Sequence, residues 1–362
     1  MGEAIADAEV GEVRADERLD EARLADYLRG RLEGADRKLT VKQFHGGRAN
    51  LTYLLDFGAQ QYVLRRPPLG PVAPSAHDMR REYKVLSVLH PAYPPAPQAF
   101  LLCTDQAVLG ADFLVMERRS GQVVRREFPQ AFEKQVDAPQ RMSAAVMAAL
   151  VQLQDVDYEA IGLSDLGRPE GYLERQVSGW YRRWQRVLAL SEDDDLWAEL
   201  PSREMAELQD WLARNLPASG PPTLVHSDFK LDNVMFAADD PGSITAVLDW
   251  DMCTLGDPLA DVGTLLTYWT EVSDSARRST GRMMPLDERF WQREELLHRY
   301  AHLCGRDISQ AHYYHVLGLF RLVVVAAQIY LRYRLGQTKD DRFATYGPEM
   351  AGWAEAAVAM AK

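Results

Sequence analysis

The sequence predicts an α+β fold in two parts, a small sheet-bearing part followed by a larger, mainly helical one. Three observations carry this. Short runs rich in β-branched and aromatic residues crowd the first third of the chain: Val41 to Phe44, Leu51 to Phe57, Gln61 to Arg66, Gln98 to Cys103 and Phe113 to Glu117. Each has the length of a strand. From Pro139 onward the apolar spacing turns helical. Two further apolar runs, Thr223 to Val225 and Ile244 to Leu248, lie beside a dense polar cluster that ends at Asp261. A polar cluster at a strand end is a common way to mount chemistry on a rigid element. The expected division is residues 1–118 for the first lobe and 119–362 for the second.

Composition narrows the class of partner. With 362 residues and 47% hydrophobic content, the chain can build one large or two medium cores. A net charge of −12 repels nucleic acid and anionic membrane, so neither is expected as a partner. No apolar run was expected to reach the ~20 residues of a membrane span. The start of the chain carries Glu3, Asp7, Glu9 and Glu12 in place of a basic-then-apolar leader, so a cytoplasmic location is expected. Cys103, Cys253 and Cys304 show no CxxC pairing and read as buried thiols. GxxxxGK[ST], GxGxxG and GxSxG motifs do not occur.

In chain order, residues 1–16 read as a mobile tail, and Asp20 caps a helix with Leu24, Tyr27, Leu28 and Leu32 on one face. Gly46 and Gly47 sit in the loop His45 to Asn50, which includes Arg48; two glycines let backbone N–H groups approach a ligand. Arg65 ends the third strand run, with Arg66 facing the other way by alternation. Asp78 to Leu89 reads as a helix with Glu82 near its middle, and Met116 to Arg119 as the connector between lobes. Met142 to Leu153 is apolar almost all round, a buried helix. Residues 169–190 carry Tyr172, Gln176, Trp180 and Trp184 beside Arg175, Arg182, Arg183 and Arg186. The aromatics suit a core. The arginines suit either a solvated face or an anionic ligand. Ser202 is placed to cap a helix to Leu216, and Asp257 to cap one from Pro258 to Tyr268. Residues 271–284 are polar and uneven, and helices are expected over 285–303, 309–335 and 349–362. Trp269, Tyr313 and Tyr314 are candidates for an acceptor pocket.

The polar cluster reads His226-Ser227-Asp228-Phe229-Lys230-Leu231-Asp232-Asn233, then Leu248-Asp249-Trp250-Asp251, then Gly256-Asp257-Pro258 and Asp261. Phosphoryl transfer needs a carboxylate to orient a hydroxyl and accept its proton, and oxygen ligands for Mg²⁺. A kinase catalytic loop has Asp as base, Asn five residues later on metal, and a further Asp on metal after a hairpin. Asp228, Asn233 and Asp249 stand in that order at that spacing.

With its Asp249-Trp250 and Gly256-Asp257-Pro258-x2-Asp261 continuation, this pattern resembles the aminoglycoside phosphotransferase-like family, over nearly the whole chain from about Lys42. The stretch Gly171 to Gln176 with Trp180 and Trp184 resembles, within it, the kinase-like domain found fused to acyl-CoA dehydrogenases. The resemblance implies a protein-kinase-like bilobal fold, with a small antiparallel-sheet N-lobe and a larger mainly helical C-lobe. It implies ATP and Mg²⁺ as cofactors, Asp228 as catalytic base, and Asn233 and Asp249 as metal ligands. Gly46, Gly47, Arg48 and Asn50 then belong to the loop over the nucleotide phosphates, and Arg65 binds them, paired with Glu82. Arg65 departs from the lysine usual in kinases. The main chain of Glu117 and Arg118 faces the adenine, and His226 is architectural. The subgroup implies a hydroxyacyl-CoA acceptor of the 4-hydroxyacyl type and a functional link to an acyl-CoA dehydrogenase. An aminoglycoside or other amino-alcohol is the alternative acceptor, and a nucleotide-binding pseudokinase the alternative class.

Overall fold

The computed structural model describes residues 10–45, 50–68, 78–190, 198–274, 282–337 and 341–362. The chain divides into two compact units. One takes Met1–Val123, Val156–Leu166 and Asn233–Cys253; the other takes Val124–Asp155, Gly167–Asp232 and Thr254–Lys362. A single cut at 118 assigns residues 156–166 and 233–253 to the helical part, whereas both join the sheet-bearing unit. Specific contacts hold them there. Arg81 Nη1 donates to the carbonyls of Leu166 (3.0 Å) and Cys253 (2.6 Å), and Lys84 pairs with Asp165 at 2.5 Å. Periodicity reports local order and carries no sign of a segment returning to an earlier unit.

The first unit is built on a six-stranded antiparallel sheet: β1 (Val10–Gly11), β2 (Thr40–Phe44), β3 (Leu51–Asp56), β4 (Gln61–Arg66), β5 (Ala99–Cys103) and β6 (Phe113–Glu117), in spatial order β1-β2-β3-β4-β6-β5. The β3–β4 hairpin sets Tyr53 opposite Leu64 and Leu55 opposite Tyr62. Gly58, at φ +86°, makes its turn, and Asp56 Oδ1 accepts the Gly58 N–H at 2.7 Å. Helix α1 (Glu21–Leu28) starts at Asp20, whose carboxylate accepts the Arg23 N–H at 3.0 Å. It sends Leu24 and Leu28 into a core with Tyr53, Leu55, Leu64 and Phe113. Truncating Leu24 to alanine there costs roughly 2–5 kcal/mol. Leu32 falls beyond this helix, because the chain turns at Gly30 with φ +71°.

The tail differs from expectation where it is described; residues 1–9 lie outside the described residues. Val10 and Gly11 pair with Phe44 and Gln43, and the Arg14 N–H donates to Gln43 Oε1 at 3.0 Å. Backbone pairing needs no apolar pattern, so composition carried no sign of it. Helix α2 (Met79–Leu89) is capped by Asp78, which accepts the N–H groups of Arg80 and Arg81 at 3.0 and 3.1 Å. A three-stranded antiparallel sheet of 244–247, 234–236 and 122–123 completes this unit.

The second unit is mainly helical: α3 (Ala138–Gln154), α4 (Tyr172–Leu190), α5 (Ser202–Arg214), α6 (Leu259–Tyr268), α7 (Arg293–Cys304), α8 (Ala311–Arg334) and α9 (Tyr346–Met360). Helix α8 is the centre, packed by α4, α5, α6 and α9. Contrary to expectation, it is long and apolar enough to cross a membrane by length and composition. Yet 72% of its apolar window is buried, the pattern of a core helix. Glycines bring α6 and α8 together: a Cβ on Gly318 would run into Thr267 Oγ1 and the Gly263 carbonyl. Ser202 is the first residue of α5 and not its cap, a position taken by Pro201. Helix α7 starts at Arg293 and not at Pro285, because Asp287 spends its carboxylate on a local turn that accepts the Arg289 N–H at 2.9 Å.

Candidate functional site

In the first unit, alternation along β4 sends Arg65 and Arg66 to opposite faces, and both are buried. Arg66 Nη1 donates to the Leu109 carbonyl at 3.1 Å. Arg65 instead donates through Nη1 to Glu82 Oε1 on α2 and through Nη2 to Asp249 Oδ1 at 2.7 Å. Burial pushes the Glu82 carboxyl up to about 7 against the downward pull of Arg65, and Asp249 and Asp251 add to the rise. Burial disfavours the Arg65 cation, but Glu82 and Asp249 outweigh it and the net shift is upward. Arg65 is therefore a fixed cation between two carboxylates.

The register of a short ladder brings Asn233 and Asp249 to one end. Val234 lies opposite Val247, and the Leu248 N–H donates to the Asn233 carbonyl at 2.8 Å. Asp249 follows at once, in the left-handed conformation at φ +71°. That conformation costs an ordinary L-residue roughly 1–2 kcal/mol and is characteristic of functional sites. Trp250, fully buried, anchors the turn through Nε1–H to the Val247 carbonyl at 2.8 Å. Asn50 Nδ2 donates to Asp251 Oδ2 at 3.3 Å, at the far end of the glycine loop. Gly46, Gly47 and Arg48 themselves lie outside the described residues. Glu117 closes β6: its N–H donates to the Gln98 carbonyl at 2.8 Å, and its carboxylate pairs with Arg119 at 2.9 Å. Arg118 Nη1 donates to the Gln61 side chain. A carboxylate and an amide at one ladder end are hard oxygen donors of the kind Mg²⁺ takes.

In the second unit, the antiparallel pair Thr223–Val225 and Thr254–Gly256 delivers the chain to His226. Asp261 of α6, fully buried, accepts the N–H groups of His226 and Ser227 at 2.6 and 2.7 Å. Burial pushes its carboxyl up to about 7, against both of those bonds and Arg321. Ser227 is also left-handed, at φ +68°. Its carbonyl accepts from Arg321 Nη1 of α8. His226 is buried, and its Nδ1 lies 3.3 Å from the Asp228 N–H. The Asp228 carboxylate, partly exposed, lies 2.7 Å from Lys230 Nζ. Lys230 also sits 4.8 Å from the Tyr268 ring centroid. Although burial disfavours its charge, Asp228 and Asp232 outweigh that and shift Lys230 upward.

Lys230, Arg321 and Asp251 were not among the predicted site residues. Lys230 and Asp251 lie inside the motif, each two positions after a predicted residue, and that closeness was the available signal. Arg321 arrives from 94 residues away with no local signature. The acceptor-pocket candidates are corrected. Trp269, Tyr313 and Tyr314 are almost fully buried, and they donate to the carbonyls of Trp291 and Leu212 and to Asp257 Oδ2 respectively. Large aromatics in an apolar helical run pack inward, and these spend their polar tips on structure. Asp257 also accepts the Leu259 N–H at 3.0 Å, but the cap position of α6 falls on Pro258, one residue later than expected. The described part of the 271–284 segment is anchored, since Glu271 and Asp274 both pair with Arg293.

Residues 40–302 match the profile of the phosphotransferase enzyme family. Acyl-CoA dehydrogenase family member 11 of Gallus gallus is 33% identical over 343 residues, 91% of this chain; the chain spans only 42% of that relative's length. A Ralstonia eutropha crystal structure, provisionally described as an aminoglycoside phosphotransferase, superposes with a TM-score of 0.76 at 27% identity and covers 95% of this chain and 98% of its own. A ternary complex of the aminoglycoside phosphotransferase APH(4)-Ia with ADP and hygromycin B gives 0.53 at 19% identity, covering 89% and 94%. At that identity the likeness shows the fold alone.

Proposed function

We propose that this chain, which belongs to the phosphotransferase enzyme family, moves the γ-phosphoryl of ATP to the hydroxyl of a small molecule. The observation that carries this is the ladder end in the first unit, where Asn233 and Asp249 lie together and Arg65 joins Asp249 to Glu82. There Asn233 and Asp249 would hold Mg²⁺, which when bound would neutralise charge on the phosphate oxygens. Arg65, braced by Glu82, adds a forked cation for the phosphates. The main chain of Glu117 and Arg118 receives the adenine. Asp228 takes the acceptor proton as the acceptor oxygen bonds to the γ-phosphorus. The bond from that phosphorus to the bridging oxygen breaks, and ADP leaves. Lys230 Nζ, 2.7 Å from the Asp228 carboxylate, holds it in place. ADP in the APH(4)-Ia complex supports an adenine nucleotide as donor.

For the acceptor we favour a hydroxyacyl-CoA of the 4-hydroxyacyl type, in fatty or hydroxy acid catabolism alongside an acyl-CoA dehydrogenase. The support is the relative whose name carries that dehydrogenase. An aminoglycoside or other amino-alcohol is the second reading, favoured by the fold neighbour that holds hygromycin B. Mass spectrometry of products after incubation with Mg-ATP tests both. The acceptors are 4-hydroxyacyl-CoA thioesters of several lengths, their free acids and several aminoglycosides. One phosphoryl gained on the thioester is the expected result. A gain on aminoglycosides alone overturns the acceptor, and no gain on any of them overturns the transfer reading.

A further inference from the structure

Helix α4 carries a basic group that the phosphate and metal machinery does not use. Trp180, 6% exposed, is flanked by two guanidinium groups: Arg183 of α4 at 4.3 Å from its ring centroid and Arg321 of α8 at 5.1 Å. Arg321 is the residue that donates to the Ser227 carbonyl, one position before Asp228. Arg182 and Arg186 stand beside Arg183 on the same helix. Arg183 is exposed, as are Arg182 and Arg186, and the like charges repel: partial desolvation against Trp180 lowers the Arg183 proton affinity, and Arg321, Arg186 and Arg182 lower it further. Among the described residues, Arg183 forms no ion pair. Guanidinium groups set against one another repel, and a bound anion relieves that repulsion. Stacking on Trp180 fixes the Arg183 fork and leaves its N–H edge for a ligand.

We propose that Arg183, with Arg321 and Trp180, forms an anion-binding subsite beside Asp228 that selects acceptors carrying a phosphate or carboxylate group and rejects cationic ones. This rests on the assignment of Asp228 as the acceptor end of the reaction. The two anion sources share one chemistry, oxygens in a plane or tetrahedron that take a guanidinium fork, and the probes separate them. The subsite also sets a specificity. Amino-alcohols and aminoglycosides meet like charge here, whereas a CoA thioester brings phosphates and a free hydroxy acid brings a carboxylate.

The experiment is calorimetric titration of the full chain at saturating Mg-ADP, so that anions do not enter the nucleotide site. The probes are CoA against neutral pantetheine, and 4-hydroxybutanoate against 4-hydroxybutanamide, for wild type, Arg183→Ala and Arg183→Lys. At least one anion should bind, its neutral counterpart should bind much more weakly, and Arg183→Ala should weaken the anion roughly 10- to 100-fold, the range of a charge-assisted hydrogen bond. Arg183→Lys should restore part of the loss, and Mg-ADP affinity should not change. Equal binding of anion and neutral probe, binding unaffected by Arg183→Ala, or no binding of either anion to wild type each overturns the subsite. Anion binding that depends on Arg183 without phosphoryl transfer to any hydroxyl leaves the subsite standing and overturns the kinase assignment.

Discussion

Replacing Asp261 by alanine tests how the loop bearing Asp228 is held. The carboxylate is fully buried and accepts the backbone N–H groups of His226 and Ser227 at 2.6 and 2.7 Å. An unpaired buried donor costs roughly 1–3 kcal/mol, so losing both costs about 2–6 kcal/mol. A unit of this size loses about 2–4 °C per kcal/mol. Differential scanning calorimetry should therefore show the second unit melting on the order of 10 °C lower. Asp261→Asn keeps one acceptor oxygen and should fall between. Because these bonds lie in the second unit, affinity for Mg-ADP should hold while turnover drops. A melting temperature within about 2 °C of wild type refutes the reasoning, since it would mean that the two amides find other partners at no cost.

Two further predictions concern the first unit. Asp249→Ala and Asp249→Gly should both weaken Mg²⁺-dependent ATP binding strongly in titration calorimetry. Glycine, free of the penalty at φ +71°, should leave the protein about 1 kcal/mol more stable than alanine does in urea unfolding; equal stability contradicts the strain. Burial raises Glu82 from its ordinary range to about 7. Between about pH 4.5 and 7 the folded state thus binds a proton that the unfolded state releases. The stabilising contribution is full below about pH 4.5 and is lost as pH rises to 7. The melting-temperature difference of wild type minus Glu82→Gln should shrink across that window, and a flat difference contradicts the shift.

The site was legible where chemistry is written in short spacing. Asp228, Asn233 and Asp249 stand out by a spacing of five residues and one hairpin, and the register of Val234 with Val247 provides the reason two of them share a ladder end. The strands of the first sheet were legible from β-branched runs, with Gln61–Arg66 and Phe113–Glu117 at the expected bounds. Long-range returns were not. Arg321 reaches Ser227 from α8, and residues 156–166 join the first unit through Arg81 and Lys84. The left-handed Ser227 and Asp249 were hidden as well, since residues of their type rarely announce a positive φ. The aromatics Trp269, Tyr313 and Tyr314 misled because a side chain with a polar tip looks alike in sequence whether it meets a ligand or a carbonyl.

The most direct measurement is the turnover of Asp228→Asn beside its nucleotide affinity, on whichever acceptor gains a phosphoryl group. ADP release gives kcat, and titration with Mg-ADP gives Kd. Asparagine keeps the shape of the side chain and cannot take a proton, so kcat should fall about 10²- to 10⁴-fold, the usual worth of a general base. The Kd should stay within about twofold, because the groups proposed for phosphate and metal are Arg65, Asn233 and Asp249. Turnover by Asp228→Asn within tenfold of wild type would contradict the assignment of Asp228 and the mechanism built on it.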